Sequence, residues 1–186
     1  MDTKLIDLLK KGKVAVIPTD TIYGIVGLAL NPGTVEEIYR LRKRATDKPF
    51  IILISSINDL NHFNISLTTK QRKFLQKNWP NSLSVILPCD DPKFKYLHRG
   101  KNSLAFRIPK DKWLTNLLKK SGPLVAPSAN YEGEKPSETI KEAKKYFGEK
   151  VAFYLDGGEI KSKASTLVQL NEDGTFIVLR KGGYRV

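Results

Sequence analysis

Short apolar runs separated by turn residues predict strands at residues 14–18, 50–55, 83–88, 104–109, 123–127, 151–155, 165–170 and 176–180. These runs are rich in Val, Ile, Leu and Phe, and Gly, Pro, Asn or Asp bound them. Segments with helical periodicity lie between several of them. Leu5, Leu8 and Leu9 mark a short amphipathic first helix, and Thr34-Val35-Glu36-Glu37 has the form of a capping box opening a helix through Ile38 and Leu41. Thr68 or Thr69 caps a helix through Phe74, Leu75 and Trp79. Trp113, Leu114, Leu117 and Leu118 mark another, and Ser137 starts one through Ile140, Ala143 and Phe147. Asn171-Glu172-Asp173-Gly174 joins the last two strands as a hairpin. This alternation predicts an α/β domain with a twisted, mixed sheet. No repeat, low-complexity tract or linker divides the chain. Residues 131–137, with Gly133 and Pro136 among charges, predict a mobile surface loop.

Composition narrows the class. The 186 residues, 40% hydrophobic and 27% charged, suit one soluble domain of ordinary size. No apolar stretch approaches the roughly 18–20 residues needed to span a bilayer, and the start of the chain lacks a signal-peptide pattern. The single cysteine, Cys89, excludes an internal disulfide framework and a cysteine-cluster metal site. Its neighbours Asp90 and Asp91 oppose thiolate formation, so a structural role is expected. Cytoplasm is the expected compartment.

Thirty-two Lys and Arg against nineteen Asp and Glu give a formal charge of +13. Carboxylates are absent between Asp59 and Asp90, where Lys70, Arg72, Lys73 and Lys77 lie. They are absent again from 93 to 110, which carries Lys93, Lys95, Arg99, Lys101 and Arg107. Such a balance fits either a solvated lysine-rich surface or a field that draws in nucleotide phosphates or RNA.

Several common chemistries are missing. The chain contains no GxxxxGK[ST] loop, no GxGxxG after a strand and no HExxH. Nothing in the sequence pairs His62 or His98 with a nucleophile, so both are expected to be surface or packing residues. Four polar constellations remain. Pro18-Thr19-Asp20-Thr21-Ile22-Tyr23-Gly24 places two hydroxyls, a carboxylate and a phenol at a strand end, where open α/β sheets bind ligands. Local turn formation by Thr and Asp accounts for the same pattern. Arg40-Leu41-Arg42-Lys43-Arg44, followed by Asp47-Lys48-Pro49, crowds cations at a helix end. They either complement the helix dipole or grip a triphosphate. Ser128-Ala129-Asn130 closes a buried strand with a hydroxyl and an amide. In Ser103-Leu104-Ala105-Phe106-Arg107-Ile108-Pro109, strand alternation sends Phe106 and Arg107 to opposite faces, so the arginine needs a carboxylate or an anionic ligand. Ser165-Thr166 and Arg180 add two further candidates.

Taken in order, from about Leu9 to Arg180, these segments resemble the YrdC family, the threonylcarbamoyl-AMP synthases of tRNA modification. Pro18-Thr19-Asp20-Thr21-Ile22-Tyr23-Gly24 is similar to its P-T-D-T-x-Y-G motif and Arg42-Lys43-Arg44 to its K-x-R. Phe106-Arg107-Ile108-Pro109 is similar to its x-R-x-P strand and Ser128-Ala129-Asn130 to its S-x-N. Ser165-Thr166 and Arg180 match its closing S-T and arginine. The resemblance implies a YrdC-like twisted mixed sheet with flanking helices and a concave basic cleft. It implies formation of threonylcarbamoyl-AMP and pyrophosphate from L-threonine, bicarbonate and ATP, with Mg²⁺ held mainly by ATP phosphates. The product would pass to transferase proteins that make the t⁶A base of tRNA.

Carried over by position, Thr21, Arg107 and Ser165 would contact L-threonine. Arg42, Arg44, Lys48, Ser103, Ser128, Asn130 and Arg180 would contact ATP, with Arg42, Arg44, Ser128 and Asn130 forming the catalytic set. The chain departs from the family in carrying Arg42 for its lysine, Ala45 for a proline and Leu53 where some members place a histidine. Its length matches the short, single-domain form, residues 1–186. Three alternatives are a double-stranded RNA or rRNA-binding protein of the same fold without synthase activity, a carbamoyl-adenylate-forming relative, and a small-molecule binder with a decayed site.

Overall fold

The computed structural model describes residues 3–186 as nine strands in one mixed sheet with six α-helices. In chain order the elements are α1 (Thr3–Lys10), β1 (Ala15–Pro18), β2 (Tyr23–Leu28), α2 (Pro32–Arg42), β3 (Ile51–Leu53), α3 (Thr69–Asn78), β4 (Leu83–Pro88), α4 (Lys95–His98), β5 (Ser103–Arg107), α5 (Lys112–Ser121), β6 (Leu124–Val125), α6 (Ile140–Phe147), β7 (Phe153–Tyr154), β8 (Thr166–Leu170) and β9 (Phe176–Arg180). The strand order is β7-β1-β2-β6-β3-β5-β4-β8-β9. Pairs β1–β7, β3–β5 and β4–β8 are parallel and the others antiparallel.

The period-two pattern decides which face each residue takes. In β5, Leu104 and Phe106 enter the larger core with Val85 and Leu87 of β4 and Val168 and Leu170 of β8. Ser103, Ala105 and Arg107 take the other face, on which β4 offers Ile86 and β8 offers Leu167. Over β1, β2, β6 and β3 that second face is covered. Leu5, Ile6 and Leu9 of α1 and Leu114, Leu117 and Leu118 of α5 pack there on Ala15, Ile17, Val26, Leu53 and Leu124. Neither helix contributes to the lining over β5, β4 and β8, and the open half of the sheet becomes the floor of a cleft.

Several local expectations change. Residues 23–28 form β2, which no apolar run announced. Gly24 and Gly27 interrupt the side-chain pattern, yet the backbone pairs with β1 from Ala15↔Val26 to Pro18↔Tyr23. Thr34 does not cap α2: Asn31 does, its Oδ1 accepting the Thr34 amide at 3.1 Å, with Pro32 in the first turn. Thr34 instead donates its hydroxyl to the Gly12 carbonyl at 2.9 Å. Ser137 does not open α6 either. Its hydroxyl reaches back to the Ala129 carbonyl at 2.5 Å, and Thr139 caps the helix. Thr68 caps α3 in a reciprocal box with Gln71, and the 171–174 hairpin joins β8 to β9 as expected. The predicted strands at 50–55, 123–127 and 151–155 shorten to β3, β6 and β7, although flanking amides of Ile54, Ala126, Ala152 and Leu155 still donate to carbonyls of neighbouring segments. Cys89 is buried, and burial pushes its thiol pKa up, in keeping with a structural role.

Gly27 fixes how closely α2 approaches the sheet. A Cβ at this position would lie 2.2 Å from Thr34 Cγ2 and 3.2 Å from Ile38 Cδ1, and Thr34 is tied to Gly12. Gly27→Ala is expected to lower stability by about 1–3 kcal/mol through overpacking. Urea unfolding measures this, and a midpoint equal to that of the parent chain would contradict it.

Candidate functional site

The turn between β1 and β2 is organised by one hydroxyl. Thr19 Oγ1 donates to the Ile22 carbonyl at 2.6 Å and accepts the Thr21 and Ile22 amides. Thr21 Oγ1 lies 3.1 Å from Thr19 Oγ1 and accepts from Arg107 Nη1 at 3.2 Å. Because the Thr19 proton is committed to Ile22, Thr21 Oγ1 accepts from Arg107 and keeps one lone pair. Tyr23 is fully buried. Its hydroxyl donates to the Gly158 carbonyl at 2.7 Å and accepts the Gly157 amide at 2.8 Å, pinning the segment after β7.

Arg107 ends β5 on the cleft face and is 4% exposed. Its Nη2 lies 3.1 Å from Asp20 Oδ1, an ion pair without hydrogen-bond alignment, and its Nε has no hydrogen-bond partner. Burial pulls its pKa below the ordinary guanidinium value, opposed by the Asp20 charge. Asp20 therefore answers the charge problem posed by an arginine on a largely apolar strand.

Arg42, the last residue of α2, is 2% exposed. Its Nε donates to the Asn130 carbonyl at 3.1 Å, and Nη2 reaches Ser128 Oγ at 3.2 Å and Asn130 Oδ1 at 3.3 Å. Nη1 is buried without a hydrogen-bond partner. Burial, with Arg44 adding like-charge repulsion, lowers the Arg42 pKa to about 10. Asn130 spends its amide protons on the Tyr131 and Glu134 carbonyls. It stands behind the cleft wall as the residue that orients Arg42, whereas the family resemblance implied contact with nucleotide.

After α2, Lys43 takes a left-handed backbone at φ 51° and redirects the chain into the segment that carries Arg44 and Lys48. Arg44 lies over the Phe50 ring, 5.5 Å from its centroid. The loop at 131–137 is tied to this segment. The Glu132 carboxylate accepts Lys48 Nζ and the Ala45 amide, each at 2.8 Å, with Arg44 Nη1 at 3.8 Å. Those contacts, Lys48 first and the Ala45 amide next, hold its pKa down to about 2. At the far end, Arg180 donates to the Ser165 carbonyl at 2.9 and 3.2 Å, and Ser165 Oγ lies 2.8 Å from Ser84 Oγ.

These groups enclose a cleft of about 570 Å³. Its lining contains Thr21, Arg42, Arg44, Lys48, Ser103, Arg107, Ser128, Ser165 and Arg180, that is, every sequence-predicted site residue except Asn130. Thr19, Lys101 and Asp47 also line it and were not singled out as contacts. Asp20 and Glu132 were missed as well. Asp20 was visible as the carboxylate of its motif, but Glu132 sits in a loop that offered no pattern. His62 and His98 are outside the lining. With cations, hydroxyls and a single lining carboxylate, the cleft can neutralise and orient a polyanion beside a smaller zwitterion.

Comparison with known proteins agrees with this geometry. The Sua5/YciO/YrdC family model, described as "Telomere recombination", matches residues 7–182. A threonylcarbamoyl-AMP synthase of Bacillus subtilis is 32% identical over 179 residues, covering 95% of this chain and 51% of the relative. A threonylcarbamoyl-AMP synthase of Pseudoalteromonas translucida is 27% identical, with 81% of this chain and 82% of the relative covered. Among solved structures, Sua5 of Pyrococcus abyssi complexed with L-threonine superposes with a TM-score of 0.88 at 28% identity, over 97% of this chain and 53% of that one. The chain thus spans about half the length of the Bacillus and Pyrococcus relatives.

Proposed function

Because the chain belongs to the Sua5/YciO/YrdC family, we propose that its cleft is the active site of a threonylcarbamoyl-AMP synthase. The observation that carries this reading is the convergence of cations on one cavity. Arg42 and Arg107, both nearly fully buried, line it with Arg44, Lys48, Lys101 and Arg180, against one lining carboxylate, Asp47. Positive charge gathered over a concave floor attracts an anionic ligand and is neutralised by it.

In this reading Arg107, Thr21 and Ser165 hold L-threonine, the guanidinium facing its carboxylate and the Thr21 lone pair available to its ammonium or hydroxyl. Arg42, Arg44, Lys48, Ser103, Ser128 and Arg180 hold ATP, and Asn130 keeps Arg42 in place. The threonine ammonium releases a proton to solvent, and the free amine captures bicarbonate as a carbamate with loss of water. A carbamate oxygen then attacks the α-phosphorus, forming the mixed anhydride and expelling pyrophosphate. Positioning and charge neutralisation dominate such transfers, which suits a site of Arg, Lys, Ser and Thr without a lining histidine. Mg²⁺ fits this arrangement as a partner of the triphosphate oxygens, with Asp47 the carboxylate in the lining available to it or its waters. Bound there, it would neutralise charge on the leaving pyrophosphate.

The product would serve t⁶A formation in tRNA through transferase proteins, and a cytoplasmic setting accords with that role. No helix among the described residues is long and apolar enough to cross a membrane. The test is pyrophosphate release from ATP and Mg²⁺, with L-threonine and bicarbonate omitted in turn and L-serine as a control. Release is expected only when threonine and bicarbonate are both present. Release independent of threonine, or none from folded protein, would overturn the reading.

A further inference from the structure

One carboxylate in this structure occupies the cations assigned above to the triphosphate. Glu132 receives Lys48 Nζ at 2.8 Å and the Ala45 amide at 2.8 Å, with Arg44 Nη1 at 3.8 Å, while its own amide donates to the Arg42 carbonyl at 2.9 Å. An ammonium, a guanidinium and a backbone N–H converging on one anion form the donor set a phosphoryl group takes. All three belong to the segment that follows α2. We propose that Glu132 is a built-in competitor for this subsite: its carboxylate holds Lys48 and Arg44 until a polyphosphate displaces it, and so sets the affinity for the nucleotide.

Displacement is feasible because the contact lies at the cleft edge. The Glu132 side chain is 25% exposed and that of Lys48 is 54% exposed. Gly133, the next residue, has φ +85°, a conformation open to glycine, so the chain can turn directly beside the carboxylate. The carboxyl stays ionised far below neutral pH, which makes release a matter of competition rather than protonation.

The inference rests on the synthase reading only for the identity of the polyphosphate, so the probe is inorganic tripolyphosphate, measured calorimetrically. Glu132→Gln keeps an acceptor for the Ala45 amide and removes the charge. It is expected to bind tripolyphosphate about three- to fivefold more tightly, the scale of a partly exposed ion pair. Glu134, two residues on, makes no ion pair among the described residues, so Glu134→Gln is the charge-matched control and its affinity is expected to stay at the parent value. In a Lys48→Ala background the gain from Glu132→Gln should shrink. In turnover, the KM for ATP should fall by the same factor without a rise in kcat, whereas a purely structural role would lower kcat and leave KM unchanged. Equal or weaker tripolyphosphate binding by Glu132→Gln, or an equal gain in Glu134→Gln, would overturn the proposal. Tighter binding by Glu132→Gln without threonine-dependent pyrophosphate release would uphold Glu132 and sink the synthase reading. Release with unaltered tripolyphosphate affinity would do the reverse.

Discussion

Arg107→Met is expected to cost about 3–5 kcal/mol of folding stability and to abolish turnover. The side chains of Arg107 and Asp20 are 5% and 6% exposed, and their charged atoms are 3.1 Å apart. Methionine fills much of the volume but leaves the Asp20 carboxylate buried without its counter-charge, the situation in which a broken buried pair is most destabilising. The second carboxylate oxygen accepts only a long bond from the Lys110 amide, 3.3 Å, which cannot compensate. Replacing both partners separates the two effects. Asp20→Asn with Arg107→Met should recover most of the stability in urea unfolding while activity stays absent, because the guanidinium assigned to the threonine carboxylate is gone. A single Arg107→Met variant within about 1 kcal/mol of the parent would contradict the paired-charge account, since breaking a buried pair costs several times that.

Arg44→Ala is expected to cost about 2–5 kcal/mol in transition-state stabilisation, roughly 30-fold to several thousand-fold in kcat/KM, with the fold intact. Arg44 is the better probe of the triphosphate subsite because of where it stands. Its side chain is 22% exposed at the cleft edge, where it meets the Phe50 ring, the Lys48 carbonyl and, at 3.8 Å, the Glu132 carboxylate. Arg42 is nearly fully buried and makes three hydrogen bonds to the Ser128–Asn130 segment, so its removal would disturb both the wall and the ligand. That arrangement also gives meaning to an arginine where the family carries lysine. A planar fork spans the Asn130 carbonyl and the Ser128 hydroxyl together, which a point-charge ammonium does not reproduce. Normal kcat/KM in soluble Arg44→Ala protein would remove Arg44 from the site.

The cleft face was legible wherever strand periodicity spoke. Along β5 the alternation of Ser103, Ala105 and Arg107 with Leu104 and Phe106 already separates floor from core. The four polar constellations converge because they lie at element ends around that floor. Strand β2 was hidden for a physical reason: Gly27 is there to let Thr34 and Ile38 approach, not to break the chain. The caps of α2 and α6 were misplaced because Thr34 and Ser137 are buried hydroxyls serving tertiary partners, Gly12 and Ala129, that local pattern cannot reveal. Asn130 reads as a ligand contact from its motif, which carries no sign that its amide protons go to carbonyls of its own loop. Glu132 had no local signature at all. Its meaning depends on Lys48 and Ala45, more than eighty residues away in sequence.

The central claim is that this cleft joins bicarbonate carbon, threonine and adenylate in one molecule. Incubation with ATP, Mg²⁺, L-threonine and ¹³C-bicarbonate, followed by mass analysis of the nucleotide products, tests it most directly. The account predicts a threonine-dependent adenylate heavier by one ¹³C than its unlabelled counterpart, formed together with pyrophosphate. An adenylate without the label, or intact ATP after incubation with folded protein, would contradict it.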